Sequence, residues 1–348
     1  MNLKELSQHL GLSPTTVSRA LNGYPEVNEQ TRARVREAAE RKGYLPNSRA
    51  RRLATGRAMA IGHILPLSNE HEMVNPIFSD FIAGAGEIYS DAGYDLALSV
   101  VRDEDETETY RRLARRGTVD GVVLHGPKVN DRRIKLLQEL GLPFVVHGRS
   151  SDVEVNYNWI DVNNRRAFHR AAAFLLDLGH RKIALLNGLA NMDFAARRLA
   201  GYRDALEERG LCVPEAFVAS GEMTENYGYA TARRLLEQEG APTAFLVSSI
   251  IPAIGVRRAI HDLGLEMGRD VSVVIHDDVL SYFENEGDVP IFTATRSSVR
   301  EAGRQCAAVL LKAIAGPQPV EQRLLEAELT LGQSTGPAPA MRAFLDHG

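Results

Sequence analysis

From Ala58 to about residue 315, short apolar runs alternate with helix-length amphipathic stretches, and no other feature limits the fold so strongly. The runs are Ala60–Leu65, Asp95–Val101, Gly121–Leu124, Pro143–His147, Lys182–Leu186, Ala244–Val247, Val271–Ile275 and Phe292–Thr295. Helices are expected between most of them, near 77–92, 105–116, 130–140, 164–178, 193–209, 226–239, 252–264 and 298–315. Strands and helices in strict alternation make parallel sheets covered on both faces. The rhythm weakens around Ser150–Tyr157 and resumes near Trp159, which predicts two α/β lobes with a crevice between them.

The chain before Ala58 has another texture. Leu3, Leu6 and Leu10 follow helical spacing, Asn2 and Glu5 are placed for a capping box, and Gly11 ends the helix. Ser13 caps a second helix with Pro14 in its first turn and Val17 and Leu21 on its inner side. Its outer face carries Thr15, Thr16, Ser18, Arg19 and Asn22: hydrogen-bonding groups, one cation and no acid. Such a face enters the DNA major groove without repelling phosphates, although the same residues would also make a plain amphipathic hairpin. Asn28 caps a third helix over 29–42, stopped by Gly43-Tyr44-Leu45-Pro46-Asn47. Residues 48–57 carry four arginines and a single large apolar residue, Leu53. That composition fits a basic linker or a hinge helix that folds on DNA.

Charge separates the two parts. Residues 1–60 carry a net +6 and the remainder −10, so a polyanion suits the head alone. The two cysteines, Cys212 and Cys306, lack metal-ligand spacing and fit a reducing compartment. No signal peptide opens the chain and no apolar run approaches ~18 residues, so a cytoplasmic protein without a membrane span is expected. P-loop, Gly-x-Ser-x-Gly and His-Glu-x-x-His motifs are absent, and no nucleophile is matched with a base; no enzyme chemistry, cofactor or metal is called for. Gly84-Ala85-Gly86 lacks the third glycine of a dinucleotide fingerprint, and the acids from Asp103 to Glu108 read as a solvated helix start.

Ligands of open α/β sheets sit beyond the carboxyl ends of the strands. The polar residues there are His147-Gly148-Arg149, Asn187-Gly188 with Arg197-Arg198 on the following helix, Ser248-Ser249 and His276-Asp277-Asp278. Together they suit hydroxyl-rich neutral ligands. Singly, each has an ordinary alternative: a turn cap, a solvent-facing arginine, or an internal Arg198–Asp277 salt bridge. Trp159, the only tryptophan, fits the core better than a sugar-stacking platform.

The order of these parts resembles the bacterial lactose-repressor/galactose-repressor (LacI/GalR) family over essentially the full length. The matches are Thr16-Val17-Ser18-Arg19-Ala20-Leu21-Asn22, Val27 with Thr31-Arg32-Val35, Gly43-Tyr44-Leu45-Pro46-Asn47 and Ala50-Arg51-Arg52-Leu53-Ala54. Further matches are Leu178-Gly179-His180-Arg181-Lys182-Ile183-Ala184, Arg198-Leu199-Ala200-Gly201-Tyr202, and Ser272-Val273-Val274 before His276-Asp277-Asp278. The resemblance implies a small all-α helix-turn-helix head plus an α/β two-lobed, periplasmic-binding-protein-like (type I) core with parallel sheets. The expected divisions are a DNA-binding domain at 1–47, a hinge helix at 48–57, an effector-binding and dimerisation domain at 58–335, and a tail at 336–348.

By the same resemblance, a homodimer binds a pseudo-palindromic operator. Pro14, Thr15 and Arg19 reach base edges, and Thr16, Ser18 and Asn22 support or bind phosphate. Tyr44, Asn47 and Arg51 join the DNA-binding set, and Leu53 enters the minor groove. In the core, Arg198 and Asp277 fall where relatives hold sugars or nucleobases, with Phe78, Met223, Ser249 and Arg149 at further ligand-facing positions. The family's usual Asp-Asn is Asn163-Asn164 here, and its usual Asn-Asp is Ser249-Ile250, so Asn163 and Ser249 are expected to set a different hydroxyl pattern. The stretch His147-Gly148-Arg149 … Asn158-Trp159-Ile160-Asp161-Val162 looks most like saccharide regulators, those for α-glucosides among them. The expected function is a repressor of carbohydrate-utilisation genes controlled by a mono- or disaccharide. The alternatives are a nucleobase- or other small-molecule-responsive repressor and a non-regulatory sugar-binding protein. The tail has no sustained heptads, so a dimer and not a tetramer is expected.

Arg19 is the only cation expected on the second helix. A bidentate arginine–guanine contact is worth ~1–3 kcal/mol of discrimination. Arg19→Ala should therefore weaken operator binding and narrow its margin over random DNA by about that much. Competition gel shifts check this; an unchanged margin removes Arg19 from base reading.

Overall fold

The computed structural model describes residues 1–21, 24–44, 56–66, 75–212, 214–283, 285 and 287–345. Asn22, Asn47, Arg51 and Leu53, and all of the expected hinge helix except Gly56 and Arg57, lie outside them.

The head is three helices on one small core. α1 (Leu3–Leu10) opens with the expected capping box: Asn2 Oδ1 accepts from the Glu5 amide and Glu5 Oε2 from the Asn2 amide, both at 3.0 Å. Gly11 closes it at φ 65°, a left-handed conformation that costs glycine little. α2 (Pro14–Leu21) is capped by Ser13 Oγ, which accepts from the Thr16 amide at 3.1 Å. α3 (Glu29–Arg41) is capped by Asn28, which accepts from the Thr31 amide at 2.8 Å. Leu6, Leu10, Val17, Ala20, Val35, Ala38 and Ala39 are buried together between the three helices.

Residues from Ala60 onward build two lobes. The first begins with β1 (Ala60–Pro66), α4 (Pro76–Asp91), β2 (Asp95–Val101), α5 (Asp103–Arg116), β3 (Gly121–Leu124), α6 (Arg132–Glu139), β4 (Phe144–His147) and β5 (Trp159–Val162). The second contains α7 (Asn164–Asp177), β6 (Ile183–Asn187), α8 (Asp193–Glu207), β7 (Val218–Ser220), α9 (Glu225–Leu236), β8 (Ala244–Val247), α10 (Ile250–Asp262), β9 (Ser272–Asp277) and β10 (Thr293–Arg296). α11 (Val299–Ala315) then packs on α4 and β4, β11 (Gln322–Leu325) joins β5, and β12 (Glu328–Thr330) pairs with β10. α12 (Pro339–Leu345) follows.

The sheet orders are β11-β5-β4-β3-β1-β2 and β12-β10-β9-β8-β6-β7. All described pairs are parallel except β10–β12. The chain crosses between lobes after β5, after β10 and after β11. The first crossing therefore follows Val162, later than the break expected near Ser150–Tyr157, because Trp159–Val162 still pairs within the first sheet. The expected tail begins on the second lobe: the Gly336 amide donates to Ser272 Oγ at 3.1 Å and the Ala338 amide to the Leu178 carbonyl at 2.8 Å. No helix among the described residues is long and apolar enough to cross a membrane.

Glycines let the covering helices approach closely. A Cβ on Gly84 of α4 would stand 2.0 Å from the Arg300 carbonyl oxygen of α11, and one on Gly303 would stand 2.2 Å from the Phe81 carbonyl oxygen. Gly86, two residues from Gly84, has nothing within 4 Å of such a position. Gly84→Ala should destabilise the protein by ~1–3 kcal/mol as helix backbones are forced apart. Gly86→Ala should stabilise it by roughly 0.5–1 kcal/mol through helix propensity. Denaturant unfolding of the two variants checks this, and equal effects would refute the packing account.

Candidate functional site

Two surfaces gather polar residues to which the sequence points. On the head, Pro14, Thr15, Ser18 and Arg19 line one shallow groove with Leu3 and Tyr24. Thr16 is turned to its cap, its Oγ1 lying 2.9 Å from Ser13 Oγ. Tyr44 packs against the edge of the head core, and its amide donates to the Ala39 carbonyl at 2.9 Å. The exposed face of α2 is thus short, polar and free of acids, as groove entry requires.

The second surface is a crevice of about 640 Å³ between the lobes, at the carboxyl ends of the strands. Phe78 from α4, His125 after β3, His147 at the end of β4, Arg149 after it, and Asp161 from β5 line it from the first lobe. Arg198 from α8, Met223 before α9, Ser248 after β8, His276 near the end of β9 and Asp278 just beyond it line it from the second. The rim is closed at one flank by the Asp193 amide donating to the Pro127 carbonyl at 3.0 Å and the Val129 amide to the Asn191 carbonyl at 3.2 Å. At another flank, Asp80 accepts from the amide and hydroxyl of Ser281 at 2.8 and 2.7 Å.

Arg198 is the most constrained group in the crevice. Its guanidinium lies between the rings of Phe168 and Phe194, each centroid 4.9 Å from Cζ. Nε donates to Asn164 Oδ1 at 2.7 Å and Nη1 to the Ser248 carbonyl at 2.6 Å. Both acceptors are neutral, and Nη2 has no hydrogen-bond partner among the described residues. Burial lowers the Arg198 pKa to about 10. The same burial raises Asp278 to about 7 and Asp161 to about 6, although Arg149 donates to Asp161 Oδ2 at 2.8 Å. It also keeps His125, His147 and His276 neutral by pushing their pKa values down, His147 to about 4. The crevice thus presents neutral imidazoles, carboxyls that hold protons readily, and guanidinium N–H groups, with rings on its walls.

Of the ligand-facing residues expected from sequence, Phe78, Arg149, Arg198 and Met223 line the crevice. Asn163, Ser249 and Asp277 do not, and in each case an adjacent residue does. Asn163 caps α7 and donates to Glu326 at 2.9 Å, whereas Asn164 reaches Arg198. Ser249 is fully buried as the cap of α10, whereas Ser248 offers its carbonyl. Asp277 accepts from the Val279 amide at 2.8 Å and pairs with Arg296 at 3.3 Å. Its side chain is 2% exposed against 15% for Asp278. The alternative of an Arg198–Asp277 salt bridge is therefore not what the fold builds. Trp159 does not line the crevice; its ring lies under the Arg149 guanidinium, 5.2 Å from centroid to Cζ. His125 and Asp161 also line the crevice, and the sequence marks them only by position, because both end or adjoin apolar runs where ligand-facing groups belong.

Residues 2–47 match the family described as bacterial regulatory proteins, lacI family, and residues 172–335 match a periplasmic binding protein-like domain. The HTH-type transcriptional regulator AglR of Rhizobium meliloti (strain 1021) is 46% identical over 341 residues, covering 97% of this chain and 95% of the relative. RafR of Escherichia coli, also an HTH-type transcriptional regulator, is 32% identical, with 92% and 94% covered. A transcriptional regulator CelR–cellobiose complex superposes with a TM-score of 0.70 at 28% identity, covering 96% of this chain and 99% of that one. The lac repressor dimer bound to operator and the anti-inducer ONPF superposes with a TM-score of 0.80 at 25% identity, covering 97% and 99%.

Asp278 gives the crevice a pH signature. Its folded pKa of about 7 lies above the ordinary 3.8, so between these values the folded chain holds a proton that the unfolded chain has lost. Stability from this group is full below pH 3.8 and declines as pH rises through about 7. Asp278→Asn should abolish that decline, changing the slope of unfolding free energy against pH by up to ~1.4 kcal/mol per unit between the two values. Parallel slopes for the variant and the parent in urea unfolding would contradict it.

Proposed function

The chain belongs to the lacI family of bacterial regulatory proteins, and we propose that it is a repressor whose hold on operator DNA is set by a neutral saccharide in the crevice between its lobes. It is a DNA-binding transcriptional regulator, as its relatives are, and they are not enzymes. In our reading it has no catalytic role and acts in the cytoplasm. A dimer presents two heads to a two-fold related operator, and Pro14, Thr15, Ser18 and Arg19 supply the described part of the reading face.

The observation that carries the effector assignment is Arg198: a buried guanidinium with two neutral acceptors and Nη2 unspent, beside Asp278. A hydroxyl accepts from the arginine and donates to the carboxyl or carbonyl oxygens around it. The rings of Phe78 and Phe81 supply an apolar surface for a sugar face, and the cavity has room for a mono- or disaccharide. Asn164, Ser248 and Asp278 take the places next to those first expected. The relative bound to cellobiose shows that this fold holds a disaccharide elsewhere in the family.

Arg198→Ala should lower affinity for maltose or cellobiose at least about tenfold, the loss of one charge-assisted contact, while operator binding persists. Calorimetric titration beside an operator-binding curve checks both. Normal disaccharide affinity in the variant would remove Arg198 from the site. If neither sugar binds the parent and a nucleobase does, the saccharide assignment fails.

A further inference from the structure

Behind the first-lobe wall of the crevice stands a file of three hydrogen-bonding rings that no ion pair explains. Tyr89 Oη of α4 lies 3.3 Å from His63 Nε2 of β1, and His63 Nδ1 lies 2.9 Å from His125 Nε2. Tyr89 and His63 are fully buried, and His125 lines the crevice. We propose that Tyr89 and His63 are positioning residues that fix His125 as an Nδ1–H donor toward an acceptor oxygen of the saccharide. This inference rests on the saccharide reading of the crevice.

The direction of the chain follows from counting protons. The contact to His63 is the only hydrogen bond of the Tyr89 hydroxyl among the described residues. A phenol that accepted from His63 would leave its own proton buried without an acceptor, which native structures avoid. Tyr89 therefore donates to His63 Nε2. Burial keeps His63 neutral, its pKa lowered to about 3, so its one ring proton is on Nδ1 and is donated to His125 Nε2. His125 is likewise held neutral by burial, so its proton is on Nδ1. Reversal of any one bond requires reversal of all.

The His125 ring is also held in place. Phe81 and Phe78 meet it edge-on at centroid distances of 4.8 and 5.2 Å, and the hydrogen-bonded His63 ring lies edge to edge with it, centroids 5.2 Å apart and planes 29° apart. Arg133 Nη2 donates to the backbone carbonyls of His125 and Gly126 at 3.3 and 3.0 Å, and Arg133 is itself held by Glu106 and Asp131. A ring fixed in tautomer and orientation distinguishes an oxygen that accepts from a group that only donates, and is a source of specificity separate from Arg198.

Long-range proton–nitrogen correlation spectra of the full chain with labelled histidine report the tautomers directly. The expected result is Nδ1–H for both His63 and His125. An Nε2–H tautomer for either overturns the chain in the parent protein, with no variant needed. In Tyr89→Phe both histidines should move to averaged nitrogen shifts, and affinity for whichever of maltose or cellobiose binds the parent should fall by about threefold to tenfold, the range for one hydrogen bond. Unmoved shifts in that variant refute the role of Tyr89, and moved shifts with unchanged affinity refute donation by His125 to the sugar. If neither disaccharide binds the parent, the saccharide reading fails on its own, while the tautomers still decide whether the chain exists.

Discussion

The burial of Arg198 is the constraint around which the crevice is arranged. Taking an ion out of water costs several kcal/mol, and a carboxylate partner is the usual compensation. Here the direct contacts are with Asn164, the Ser248 carbonyl and two phenylalanine faces, and Asp278 and Asp161 add attraction without a hydrogen bond to the guanidinium. A direct carboxylate pair would have consumed the N–H groups that a ligand needs. The acids nearby are themselves desolvated and pushed toward their protonated forms, and the histidines stay neutral. An anion would meet the guanidinium groups of Arg198 and Arg149, whereas a polyol satisfies both the donors and the acceptors that line the crevice.

Much of the architecture was legible because parallel sheets bury whole strands. Gly121–Leu124, Ala244–Val247 and Val271–Ile275 stood out as apolar runs, and the observed strands agree within two residues. β5, β7, β11 and β12 were not legible. They are three or four residues long, lie at or near sheet edges, and mix polar with apolar residues, as Gln322-Arg323-Leu324-Leu325 does. The site shows the same limit more finely. Because β8 and β9 are buried on both faces, their sequences contain no alternation to say which residue at the strand end turns toward the crevice. A shift of one residue changes the face. Hence the sequence points to Ser249 and Asp277, whereas Ser248 and Asp278 line the cavity. Arg198 is on a helix with a clear inner face, and there the expected residue lines the crevice.

Two other signals had a structural meaning that composition hid. Gly84 belongs to a helix crossing and not to a nucleotide loop, because the Arg300 carbonyl occupies the place of its missing side chain. The acidic start of α5 is only partly a solvated face. Glu106 is buried and pairs with Arg133 at 2.7 Å, and Arg133 in turn holds the His125–Gly126 carbonyls beside the crevice. Neither reading is available from a window of sequence, because each depends on a residue more than twenty positions away.

The crevice is lined from both lobes, so what binds there touches both. Its lining is divided between lobes joined by three chain crossings, so a ligand touching Phe78 and His125 on one side and Arg198 and Asp278 on the other bridges both. A ligand shifts an equilibrium only by its difference in affinity for the two states, and bridging contacts are the ones that differ. The protein's own rim contacts, Asp80 with Ser281 and Asp193 with the Pro127 carbonyl, are a few hydrogen bonds. Each is worth ~0.5–1.5 kcal/mol net, more where the carboxylate is charged. Their sum is of the order that a few hydroxyl contacts supply. On the reading that a saccharide fills the crevice, rim and ligand are therefore matched in size, as a small molecule that shifts a lobe equilibrium would need.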